Sequence, residues 1–172
     1  VVSLLGEGPK GGAWLRNGAK PGDVLLATGR FGGSLKSGEH LTFTPRLEQA
    51  RDIRQIAGLG VHACIDVTDG LSRDLHHMCD ESQCGAVIEE EKLRAISNNP
   101  AIENALCDGE DFELLLACEA ASARKLLHVW SDKLQLTEIG SIQAASAGCV
   151  LRNKDGRCYT LPECGFEHQL AH

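Results

Sequence analysis

Two short stretches of this chain gather oxygen ligands where an apolar run gives way to a turn. The first is Asp66-Val67-Thr68-Asp69-Gly70-Leu71. It follows Ala63-Cys64-Ile65, so Asp66 is expected near the carboxyl end of a strand and Asp69 at the start of a helix. Two carboxylates and a hydroxyl placed in this way can converge on a divalent cation, and exposed helix-start amides attract phosphate. A plainer role also fits, because Thr68 or Asp69 would serve equally well as a helix cap. The second stretch is Cys107-Asp108-Gly109-Glu110-Asp111-Phe112-Glu113-Leu114, with four acids in six residues leading into a buried strand. Its plain alternative is a solvated acidic turn. Strand alternation sends Phe112 and Glu113 to opposite faces, so only part of the cluster can face one site. A third stretch, Arg16 to Asp23, is a cationic turn ahead of a core strand. Arg16 there can bind a phosphate, stack on a base, or simply be solvated.

Three other motifs fail on their own chemistry. Gly29 to Ser37 ends in Lys-Ser like a phosphate loop, but Leu35 stands where a glycine must precede the lysine. Gly6-Glu7-Gly8-Pro9-Lys10-Gly11 matches the bare glycine string of dinucleotide sites, yet Pro9, Gly11 and Gly12 oppose a helix opening there. His76 and His77 are adjacent, so on a helix they diverge by about 100° and are no paired ligand site.

The elements that must position these residues follow from apolar spacing. Strands are expected at Val1–Leu5, Asp23–Gly29, Ala63–Val67, Gly85–Glu89, Asp111–Cys118, Leu134–Ile142, Cys149–Arg152 and Cys158–Leu161. Helices are expected at Pro45–Leu59, Asp69–Cys79 and Glu119–Trp130, with weaker ones at Glu91–Ile96 and Pro100–Leu106. Arg30–Phe43 shows no period and reads as a loop. Asn153-Lys154-Asp155-Gly156 carries the Asp-Gly signal of a hairpin. Strands interleaved with helices, plus a hairpin, give an α/β or α+β fold with a mixed sheet and packed helices.

The bulk properties narrow the classes. The length of 172 residues suits one domain, residues 1–172. Lys and Arg number 17 against 24 Asp and Glu, a formal charge of -7, with no basic run to bind nucleic acid or anionic lipid. No apolar stretch approaches a membrane span. The chain opens Val1-Val2-Ser3, which is not a signal peptide and is expected to continue from an upstream segment. The eight cysteines include no Cys-x-x-Cys pair, so the expectation is reduced, structural thiols in a cytoplasmic protein.

Taken in order, these segments resemble the carboxy-terminal domain of the thiamine-monophosphate kinase family, within the AIR synthetase-like superfamily. The matching pieces are Arg16 with Gly18-Ala19-Lys20-Pro21-Gly22-Asp23, Thr28-Gly29, His40 with Pro45-Arg46, and Asp66 to Leu71 with Asp74-Leu75. Cys84-Gly85-Ala86, Gly109-Glu110-Asp111-Phe112-Glu113-Leu114 and Gly165-Phe166-Glu167-His168 complete the set. The resemblance implies transfer of the γ-phosphoryl group of ATP to thiamine monophosphate. It implies that Asp66 and Asp69 bind magnesium, that Thr68 and Arg16 contact ATP, and that Glu110 and Phe166 contact the thiamine substrate. It also implies an amino-terminal domain, absent from this chain, that supplies further magnesium ligands, binds much of the ATP and forms a homodimer, so this chain alone should show little or no activity. The chain departs from the family at Gly33, where an aspartate is usual, at Thr68 in place of serine, and in a shortened loop before Pro45-Arg46. The alternatives are a superfamily phosphotransferase with another phosphorylated acceptor, or a non-catalytic domain that binds a nucleotide or partner.

Overall fold

The buried apolar runs become strands of a single sheet in a computed structural model that describes residues 3, 5–131 and 134–166. The strands are β1 (Val24–Thr28), β2 (Val61–Val67), β3 (Cys84–Glu89), β4 (Glu113–Cys118), β5 (Leu136–Ala144), β6 (Cys149–Arg152) and β7 (Cys158–Thr160). Their spatial order is β2-β4-β1-β5-β3-β6-β7. All neighbours are antiparallel except β3 and β6, which run parallel. The helices are α1 (Ser34–Ser37), α2 (Leu47–Ala57), α3 (Leu71–Ser82), α4 (Glu90–Ala95), α5 (Ile102–Cys107) and α6 (Ala120–Val129). The mixed sheet with packed helices expected from the interleaved pattern is therefore present.

Because side chains alternate across a strand, neighbouring residues of β1 enter different cores. Leu25 and Ala27 pack with Leu71, Leu75 and Met78 of α3 and Leu93 of α4. Leu26 packs instead with Ile53 of α2 and with Ala123 and Leu126 of α6. Helices thus cover both faces, giving three layers. In β2, Val61 belongs to the α2/α6 core, whereas Ala63, Ile65 and Val67 belong to the α3 core. A register irregularity between Val61 and Ala63 accompanies that change of face.

Most boundaries shift by a few residues from expectation, and each larger shift has a local cause. Arg30–Phe43 is not a plain loop: it holds α1 and a 3-10 turn at Glu39–Leu41, both too short to leave a periodic signal. The helix expected from Asp69 starts at Leu71, since Thr68–Gly70 forms a turn held by the Asp74 carboxylate and by the distant amides of Glu110 and Phe166. The strand expected from Asp111 starts at Glu113, because Glu110 and Phe112 adopt left-handed backbone with φ 63° and 52°. The hairpin forms as expected, with the Gly156 amide donating to the Asn153 carbonyl at 2.9 Å. The expected strand at Val1–Leu5 lies mostly outside the described residues.

The cysteine expectation needs correction. Cys107 and Cys164 form a disulfide with their Cα atoms 5.1 Å apart and a sequence separation of 57. That pairing depends on the fold bringing the end of α5 to the carboxy-terminal segment, which no local spacing could show. Cys64, Cys79, Cys84, Cys118, Cys149 and Cys158 are free. Among the described residues no helix is long and apolar enough to cross a membrane.

The two cores make a direct test possible. Leu75→Ala and Leu126→Ala should each cost about 2–5 kcal/mol in urea unfolding, as truncation of a fully buried leucine does. With the sheet between them, the double variant should equal the sum within about 0.5 kcal/mol. A coupling well above that would mean the cores are one.

Candidate functional site

The turn after β2 is shaped by bonds from four places. Asp74, buried in the first turns of α3, accepts the Thr68 and Asp69 amides on one carboxylate oxygen at 2.9 and 3.0 Å. Its own amide donates to the Gly70 carbonyl at 3.0 Å. The carbonyls of Val67, Thr68 and Asp69 accept the amides of Phe112, Glu110 and Phe166 at 2.9, 2.7 and 2.8 Å. The first two acidic stretches are thus joined, backbone to backbone. Burial pushes the Asp74 carboxyl above its ordinary value, while the turn amides pull it back. Asp69, Asp74 and His77 each bring a ligand atom within 4.8 Å of the others.

On the facing loop, Glu110 and Phe112 flank Asp111 in the left-handed region, an unfavourable conformation for such side chains. The bonds to the Thr68 and Val67 carbonyls hold it in place. Phe112 stacks on Phe43 with ring centroids 4.3 Å apart. The Oε2 of half-buried Glu110 lies 3.8 Å from His40 Nε2. The other His40 ring nitrogen lies 3.0 Å from the Ser34 carbonyl, to which it donates.

Behind this loop a cleft of about 510 Å³ is lined by Gly29, Arg30, Ser34, Phe43, Arg46, Asp111 and Glu113, among others. Glu113 is buried and fully engaged. Arg46 donates to both of its oxygens at 2.8 and 2.5 Å, and the Thr28 hydroxyl donates at 2.6 Å. A side chain at residue 29 would run into that carboxylate, so Gly29 is required there, and its φ of 61° also favours glycine. Both oxygens of buried Asp111 accept the Gly32 amide at 3.1 and 3.0 Å. Burial pushes the Asp111 carboxyl up to about 7, against the pull of the Gly32 amide and the Ser34 hydroxyl.

The sequence-expected residues do not all meet. Thr68, Asp69, Glu110 and Phe166 are drawn together by the turn. Asp66 is exposed and points to the sheet face opposite Ile65 and Val67, outside the group formed by Asp69, Asp74 and His77. Arg16 is exposed and follows Leu15, whose carbonyl accepts the Cys64 amide at 2.9 Å. The Arg16 carbonyl accepts from Ser82 at the far end of α3, ~17 Å of helix from the turn. Gly33 precedes α1 with φ 92°, and a side chain there would meet open space. Glu167 and His168 lie outside the described residues. The Arg46–Glu113 pair and the acid Asp111 stand out only in three dimensions. The clustering of acids was their signal, but it could not say which of them turn inward.

Arg46→Ala would leave Glu113 as an uncompensated buried carboxylate, and should cost about 3–5 kcal/mol in denaturant unfolding. Asp111 sets a pH dependence. An unfolded aspartate titrates near about 3.9, so between there and about 7 the folded state keeps a proton that the unfolded chain has lost. Its contribution to stability should therefore fall as pH rises through that window and level off above it. Asp111→Asn should remove this slope in thermal melts from pH 4 to 8. An unchanged slope would show that Asp111 is not the titrating group.

Comparison with known proteins places this geometry. Residues 20–150 match the family model described as AIR synthase related protein, C-terminal domain. The chain is 39% identical over 138 residues to the thiamine-monophosphate kinase of Rhodopirellula baltica, covering 75% of this chain and 42% of that protein. It is 32% identical over 198 residues to the thiamine-monophosphate kinase of Escherichia coli (strain K12), covering 98% and 59%. The solved structure of AaThiL complexed with AMPPCP and TMP aligns with a TM-score of 0.61 at 25% identity, over 90% of this chain and 53% of that one. The chain spans about half the length of the relatives it matches. With the family model matching most of its length, the chain belongs to the AIR synthase related protein C-terminal domain family.

Proposed function

We propose that this chain is the carboxy-terminal half of an ATP-dependent kinase that converts thiamine monophosphate to thiamine diphosphate. The observation that carries the reading is identity of 39% and 32% to thiamine-monophosphate kinases across stretches that include both acidic motifs. The bonded contact of those motifs in the fold supports it.

In this reading the terminal phosphate oxygen of thiamine monophosphate attacks the γ-phosphorus of ATP, and ADP leaves with the bonding pair. No protein nucleophile is needed, so the residues of the chain position and orient. Asp66 and Asp69 would hold magnesium, Asp69 from the turn beside Asp74 and Asp66 from the exposed sheet face behind it. Thr68 and Arg16 would contact the nucleotide, and Glu110 and Phe166 the thiamine moiety. The donor set is tested by Asp69: its carboxylate lies with those of Asp74 and His77's ring, and carboxylate oxygens suit a hard cation better than the imidazole does. When bound, magnesium neutralises charge between the two polyanions. The turn bonds orient Asp69, and the Phe166 amide on the Asp69 carbonyl keeps that ring beside the turn. An amino-terminal half, lying outside this chain, completes the nucleotide site, supplies the remaining metal ligands and forms the homodimer.

Phosphoryl transfer to thiamine monophosphate should be measured with the full-length protein and this chain side by side. Activity is expected in the full-length protein and little or none in the chain. Asp66→Ala and Asp69→Ala in the full-length protein should each lower kcat about 100-fold or more, the scale of losing one electrostatic stabiliser. Wild-type rates in both variants would sink the assignment.

A further inference from the structure

The disulfide sits where the two substrate-side segments meet. Cys107 ends α5 and is followed by Asp108, Gly109 and Glu110, while Cys164 is followed by Gly165 and Phe166. Each segment then bonds to the same turn, Glu110 to the Thr68 carbonyl at 2.7 Å and Phe166 to the Asp69 carbonyl at 2.8 Å. The contact is close on both sides. A Cβ on Gly109 would stand 2.7 Å from the Thr68 carbonyl oxygen, and one on Gly165 would collide with the Asp69 carbonyl. The Cys107–Cys164 bond thus ties together two arms that clasp Thr68 and Asp69.

Upstream of Cys164 the carboxy-terminal arm has its own anchors. Leu161 is buried and donates its amide to the Cys149 carbonyl at 2.9 Å, and the Ser72 hydroxyl donates to the Pro162 carbonyl. Opening the disulfide would therefore loosen the arm beyond Pro162 without undoing the sheet. Both cysteines are half-buried, at the edge of the α3 core.

We propose that Cys107 and Cys164 form a reversible thiol-modification site, whose disulfide latches the Phe166 arm onto the Asp69 turn and whose reduction releases it. The effect on turnover rests on the substrate roles proposed for Glu110 and Phe166, whereas the latch itself does not. The electrons come from a dithiol reductant. Its thiolate attacks one cysteine sulfur, the S–S bond breaks, and the electron pair leaves on the other sulfur, which takes a proton. Its second thiol then displaces the mixed disulfide, giving two protein thiols and one oxidised reductant. In a reducing compartment such a bond is transient, which suits a switch better than a permanent staple.

The test uses the full-length protein, air-oxidised or treated with dithiothreitol, together with a Cys107→Ser/Cys164→Ser double variant and a Cys79→Ser control. Hydrogen exchange read by mass spectrometry should be at least about tenfold faster at Glu110 and Phe166 in the reduced protein and the double variant, because local opening sets that rate. The control should behave as wild type in both states. The KM for thiamine monophosphate should rise on reduction. Exchange within about twofold in the two states overturns the latch, as does a failure of alkylation and mass analysis to find the bond under oxidising conditions. Faster exchange with an unchanged KM overturns its control of substrate. If neither state turns over thiamine monophosphate, the kinase reading fails, and the exchange rates still decide the latch.

Discussion

The turn from Val67 to Gly70 is too short to satisfy its own backbone, and much of the local architecture answers that need. Four consecutive carbonyls reach four different donors: the amides of Phe112, Glu110, Phe166 and Asp74. The Asp74 carboxylate takes the turn's own amides. A buried donor or acceptor left without a partner costs about 1–3 kcal/mol, so each bond fixes its segment as firmly as it fixes the turn. The acidic loop, the carboxy-terminal arm and the start of α3 therefore take positions relative to Thr68 and Asp69 rather than relative to solvent.

Strain and buried charge are carried by the same loop. Glu110 and Phe112 hold left-handed backbone on either side of Asp111, and that geometry sends Asp111 inward to the Gly32 amide. Two residues on, Glu113 enters β4 and meets the Arg46 fork, so its charge is paired before it is buried. Such strain persists where surrounding bonds over-determine the conformation, and it is commonly stored at sites that bind or react. Here the loop joins the cleft behind it to the turn in front.

The fold and the candidate site are not equally self-contained within the described residues. Helices cover both faces of the sheet, each with its own core. The candidate ligands are less self-sufficient: Asp69 has neighbours of its own, while Asp66 and Arg16 stand exposed toward other surfaces.

Local pattern alone determined the strands, most helices, the hairpin at Asn153–Gly156 and the two acidic motifs, because periodicity and turn chemistry act over a few residues. The motifs also carried the family resemblance. Interactions across long separations lay beyond that reach. Nothing near Cys107 points to Cys164, nothing near Glu113 points to Arg46, and the alternation that put Phe112 and Glu113 on opposite faces did not foresee the left-handed bend before them. The start of α3 shows the same limit: a capping residue at Asp69 and a metal ligand at Asp69 look alike in sequence. Only the tertiary structure decided that Asp74 takes the turn's amides, since a carboxylate's partner is set by what the fold brings within 3 Å of it.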